Sequence, residues 1–151
     1  MYYIDTDRSP TLSTPGMEFD EVYGHRTYGE RVWNPQIAGL YFSRKQTSGS
    51  FIDQYGIREA LKTECPMNAN MLDFFLEHPE EIPPGWGRSC YKTIYFFGTL
   101  LKRTGRLFVR CLIRQDDGTY IGGYHELDCS AQDVRWSNDP VAVHLFFDML
   151  L

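Results

Sequence analysis

The chain has 151 residues, 42% of them hydrophobic and 23% charged, with 20 acidic against 15 basic side chains and a net charge of −5. That length suits one domain, and that balance excludes a disordered, collagen-like or low-complexity chain. The longest apolar stretches, such as Val141 to Val143 with Leu145 to Phe147, fall far short of the ~20 residues that cross a bilayer, and Met1 to Pro10 carries Asp5 and Asp7 without an apolar stretch, so a cytoplasmic protein with no membrane span is expected.

Residues 1–16 read as a loose N-terminal segment and 17–151 as a single domain. Proline and glycine punctuate the chain to about Gly49, with one short strand expected at Leu40-Tyr41-Phe42. From Ser50 to Lys62 the spacing of Ile52, Tyr55, Ile57 and Leu61 predicts a helix, firmest over Ile57 to Thr63. Asn68 or Asn70 can cap a second helix, whose Met71, Leu72, Phe75 and Leu76 share one face and which Pro79 stops. His78 reads as a helix-end residue, and Trp86 as a plug between helix and sheet.

Cys90 to Leu101, Arg106 to Arg114 and Thr119 to Asp128 read as three antiparallel strands joined by turns at Thr104-Gly105 and Asp116-Asp117-Gly118. In the middle strand Leu107, Val109, Cys111 and Ile113 alternate with Arg106, Phe108, Arg110, Leu112 and Arg114, which predicts one core-facing side. Gly122-Gly123 marks a bulge or a close backbone approach. Asp139-Pro140 favours a terminal helix from Val141 to about Met149, although the β-branched apolar run would also suit a buried strand. The expected fold is thus α+β, a small antiparallel meander with one face covered by two short helices and the N-terminal segment lying along it.

Charge is segregated. The 27 residues from Arg88 to Arg114 hold Arg88, Lys92, Lys102, Arg103, Arg106, Arg110 and Arg114 and none of the 20 acidic residues. With a strand period of two, Arg106, Phe108, Arg110 and Arg114 should project together, with Lys92 nearby. Such a surface suits an acidic protein partner, or single-stranded nucleic acid through phosphate attraction and base stacking. The plainer reading pairs these arginines with Asp53, Glu59, Asp73, Glu77 and Glu81 on packed helices. A fit to the RNA-recognition RNP1 pattern is missing, since Leu107, Val109 and Cys111 stand where glycine and aromatic residues belong. The 23 aromatic residues also allow a self-association face.

Catalytic motifs are sparse. Cys65, Cys90, Cys111 and Cys129 lack C-x-x-C spacing and read as reduced packing thiols. Cys111 with His125 on the next strand is the only candidate nucleophile–base pair, a small Cys/His hydrolase, and it conflicts with the apolar setting of Cys111. His125 and Cys129, four apart on a strand, are ~13 Å from each other, too far to share a zinc ion. Glu80-Glu81 and Asp116-Asp117 read as solvated turn acids. No phosphate-binding glycine loop and no G-x-S-x-G elbow occurs, so a noncatalytic protein without cofactor or metal is expected.

Gly49-Ser50-Phe51-Ile52, Leu61, Met67-Asn68-Ala69-Asn70-Met71-Leu72-Asp73, His78-Pro79 with Ile82-Pro83 and Trp86, Phe96-Phe97-Gly98-Thr99, Leu107 to Leu112, and Asn138-Asp139-Pro140 with Ala142-Val143 form one combined pattern. Through it, about two thirds of the chain, from Leu40 to Val143, resembles a recurring group of small uncharacterised bacterial proteins. The resemblance implies a shared domain and carries no activity with it. Gly122-Gly123 and Tyr124 replace tryptophan-rich strand residues common in that group, and the N-terminal extension is long.

Overall fold

In the computed structural model, residues 1–42, 54–88, 91–127 and 139–145 are described. The three central strands form as expected: β7 (Thr93–Arg103), β8 (Arg106–Arg114) and β9 (Tyr120–Leu127), each antiparallel to the next. Thr104 and Gly105 both take positive φ, 50° and 75°, which is the twist a two-residue hairpin turn requires.

The sheet extends further than a meander. β10 (Val141–His144) lies beside the first half of β7, parallel to it, and pairs antiparallel with β6 (Ala38–Tyr41) on its other side. β4 (Glu21–His25) pairs antiparallel with the far half of β7, from Thr99 to Lys102. Among the described residues the result is a mixed sheet of six strands in an α+β fold. The terminal helix expected from Val141 is therefore corrected to a strand: Val141 to His144 are all buried, and two β-branched residues in a run enclosed on both faces pack well in a pleat. Residues 146–151, the rest of that expectation, lie outside the described residues.

The two helices form where the spacing placed them. Helix α1 (Gln54–Ala60) runs into a 3-10 turn at Leu61–Thr63; its expected start, 50–53, lies outside the described residues. Helix α2 (Ala69–Glu77) is capped by Asn68, whose side-chain oxygen accepts from the N–H groups of Asn70 and Met71. His78 ends it, its N–H donating to the Phe74 carbonyl.

The helices lie on opposite faces of the sheet, which corrects the expected one-sided cover. Ile57 and Leu61 share a cluster with Leu107, Val109, Cys111, Val141 and Val143. Met71, Leu72 and Phe75 share another with Ile94, Phe96 and Leu112, closed by Trp33 and by Trp86, the expected plug. Both faces of β7 and β8 are apolar, so alternation along β8 could not identify a solvent side.

Gly98 sits where β7 changes register against β8. Its N–H donates to the Met67 carbonyl, its own carbonyl accepts from Arg26, and Met67 also donates to Ala142. The chain from Cys65 to Asn68 thereby enters the junction between β10 and β4.

The N-terminal segment, expected to be loose, is tied to this junction. β1 (Tyr3–Asp5) pairs with β5 (Glu30–Val32), and Ile4 is buried in the α2 core. The Asn68 amide donates to the carbonyls of Thr6 and Arg26, and the Asn70 amide to those of Asp5 and Arg8. A second hairpin, β2 (Ser13–Thr14) to β3 (Met17–Glu18), turns at Pro15-Gly16, where Gly16 has φ 84°, the conformation required after a proline in a type II turn.

Candidate functional site

The basic residues singled out from the sequence do not share one open surface. Arg110 is buried beneath α2, where its Nη1 meets the Asp73 carboxylate at 2.8 Å; its side chain is 5% exposed. Gly122, opposite Leu112 on β9, makes room for this: a Cβ there would come within 2.9 Å of Leu76 and 3.5 Å of Arg110 Nη2. Both glycines of the Gly122-Gly123 pair are thus close approaches, and the β8–β9 register runs through them without a bulge. Lys92 pairs with Asp116. Arg114 is half-buried and packs across Gly87, whose φ of 74° and lack of a side chain admit it. Phe108 is 7% exposed, covered by Phe19 at a ring distance of 5.5 Å.

The open arginine surface is therefore corrected to a face largely closed by its own chain. Of the intramolecular partners anticipated, Asp73 takes Arg110, Glu59 takes Lys62, and Glu81 accepts from the Trp33 indole instead. Asp53 lies outside the described residues. Base stacking loses its central ring with the burial of Phe108.

What remains open is the hairpin end of that face. Arg103 and Arg106 stand directly opposite each other across the β7–β8 ladder, so their side chains leave the same side of the sheet. Two like charges in that position repel, and an anion between them is favoured. Arg103 reaches the Met17 sulfur, which carries no counter-charge. Arg106 has Glu126 at 3.3 Å, with both side chains well exposed, an arrangement contributing ~0–1 kcal/mol. The two arginines border a shallow hollow of about 800 Å³ whose apolar lining comes from Met17, Phe108 and Tyr124. In the sequence Arg103 stood out only as one member of the basic segment, and the Met17–Phe19 stretch was not singled out; the turn signal at Thr104-Gly105 would have identified the opposed pair.

The Cys111–His125 pair lacks the setting of a nucleophile. Across the ladder Cys111 faces Gly123, and His125 faces Val109. Cys111 is 2% exposed, and burial pushes its thiol up to about 12, against the thiolate that attack requires. His125 is exposed, with its ring edge-on to Tyr95, and partial burial lowers its pKa. Cys65 and Cys111 are both free thiols; Cys90 and Cys129, and with Cys129 the His125 metal pairing, lie outside the described residues.

The paired acids serve turns. Asp117 accepts from the N–H and hydroxyl of Thr119, which hold its carboxyl below the ordinary range, and a hydrogen bond from Lys92 does the same for Asp116. Among the described residues no three His, Cys, Asp or Glu side chains converge as a metal site needs. Comparisons with protein-family models, with curated proteins and with solved structures found no match.

Proposed function

We propose that the chain is a noncatalytic interaction module that takes an acidic segment of a partner protein at the tip of the β7–β8 hairpin. The observation that carries this reading is the direct opposition of Arg103 and Arg106 beside an apolar hollow. A carboxylate placed between the two guanidiniums relieves their repulsion and gains charge-assisted hydrogen bonds. A neighbouring apolar side chain of the same segment then rests on Met17 and Tyr124. Glu126 acts as a resident counter-ion that the partner displaces. Arg110, Arg114 and Lys92 are outside this surface, so recognition needs two arginines rather than a basic strip.

The test is fluorescence anisotropy with a labelled peptide of repeated Glu-Glu-Phe. Wild-type protein should bind it, with affinity falling as salt rises. Replacing both Arg103 and Arg106 by Gln should weaken binding roughly tenfold or more, the loss expected for two charge-assisted contacts at an exposed site. Unchanged binding by the double variant overturns the proposal. So does a labelled oligothymidylate that binds as tightly as the peptide.

A further inference from the structure

A second hollow, of about 470 Å³, lies on the opposite face of the sheet, between the 3-10 turn that follows α1 and the middle of β7. Its floor is apolar: Leu61 and Phe97 are almost fully buried, and Leu100 and Pro66 complete it. Its wall is cationic, formed by Arg26, Arg58 and Lys62, with Glu59 the only acid among the described residues. Glu59 is occupied, since its carboxylate meets Lys62 at 2.7 Å. Among the described residues no carboxylate lies within ion-pair distance of Arg26 or Arg58.

Arg26 is also held in place. Its Nη1 donates to the carbonyls of Leu61, at 3.2 Å, and Glu64, at 3.0 Å. Carbonyl oxygens orient a guanidinium without cancelling its charge, and these two bonds engage only one of its terminal nitrogens. A fixed cation, a second cation with no described carboxylate in ion-pair distance and an apolar floor in one concavity are the elements that orient a ligand with a charged head and a carbon body, and the volume is within the range of small-molecule sites.

We infer that this hollow binds a small organic acid, a carboxylate on a short aliphatic or aromatic body, with the head between Arg26 and Arg58 and the body on Phe97 and Leu100. The site shares no residue with the hairpin tip, so the two proposals stand or fall separately.

The experiment is an NMR titration of the intact protein with 4-phenylbutyrate, its neutral analogue 4-phenylbutanol and inorganic phosphate. Phenylbutyrate should shift the amides of Lys62, Gly98 and Leu100 and bind tighter than the alcohol by roughly tenfold or more, as a carboxylate held between two guanidiniums predicts. Arg58→Gln should close part of that gap, with Arg26 still in place, while Arg103→Gln should leave it intact. Equal affinity for acid and alcohol in the wild-type protein overturns the inference whether or not the variant folds. Shifts confined to other regions overturn it too, as does phosphate binding as tightly as phenylbutyrate, because the floor would then contribute nothing.

Discussion

Arg110 and Asp73 join the centre of the sheet to the underside of α2 through a 2.8 Å ion pair, and Arg110 Nε in that pair has no hydrogen-bond partner among the described residues. A buried guanidinium with one carboxylate and one orphaned donor is held at a desolvation cost, so removing its partner should be expensive. Asp73→Asn is expected to destabilise the fold by roughly 2–4 kcal/mol, somewhat less than the ~3–5 kcal/mol of a fully buried broken pair because Asp73 is partly exposed. Joint replacement by Asp73→Leu and Arg110→Met should recover much of the loss. Urea midpoints of the three proteins check this; a double variant as weak as the single one would contradict it.

Asn68 serves three backbone segments at once. It caps α2, and its amide hydrogens satisfy carbonyls at Thr6 and Arg26 in a site with no exposure. Asn68→Ala should cost about 1 kcal/mol for the cap and ~1–3 kcal/mol for the Arg26 carbonyl left without a donor, the Thr6 carbonyl keeping His25 Nε2 at 3.1 Å. Hydrogen exchange should accelerate around Thr6 and Tyr28 more than in β8, because the amide bonds lost belong to the N-terminal tie. Uniform acceleration would mean that the residue acts only through global stability.

Gly98→Ala tests the junction itself. The added Cβ would stand 2.6 Å from the Pro66 carbonyl oxygen and 2.7 Å from backbone atoms of Met67 and Asn68, none of which can rotate away. The expected loss is ~1–3 kcal/mol or more, the cost of overpacking against fixed atoms. An unchanged denaturation midpoint would show that the 65–68 segment is free to move off the sheet.

His144, buried on β10 with its ring 4.6 Å from that of Tyr28, has its pKa pushed down to about 4, first by burial and then by the nearby Arg31. The folded state therefore resists protonation, while the unfolded chain takes up the proton near pH 6.5. The unfolded state binds more protons between those values, so stability is full above about pH 6.5 and declines as pH falls toward 4, by roughly 3 kcal/mol in all. His125, lowered in the same direction, adds to the trend. Denaturation of wild type and His144→Gln at pH 7 and pH 5 checks this: the variant should lose less stability on acidification. Equal losses would place the effect elsewhere.

The three-strand hairpin series and the capped helix were legible because local chemistry specifies them. A Thr-Gly turn between alternating runs allows few backbone paths, and an asparagine ahead of an apolar helical face supplies the acceptor its first N–H groups lack. Asp73 was anticipated as an arginine partner by its place on α2, but its choice of Arg110, and the burial of that pair, were not. The outer strands were harder. Val141 to His144 carries no polar alternation because both of its faces are covered, and a buried strand and a buried helix then look alike.

Local propensity, turn chemistry and capping, all contained within a few residues, decided where the main strands and helices run. Which side of β8 meets water depended on segments far away in the chain: Phe19 covering Phe108, α2 covering Arg110, and β10 entering beside β7. Charge and period can place arginines on one face, but exposure depends on what the rest of the chain lays over it. Folding thus left Arg103 and Arg106 open at the hairpin tip and closed the strip behind them.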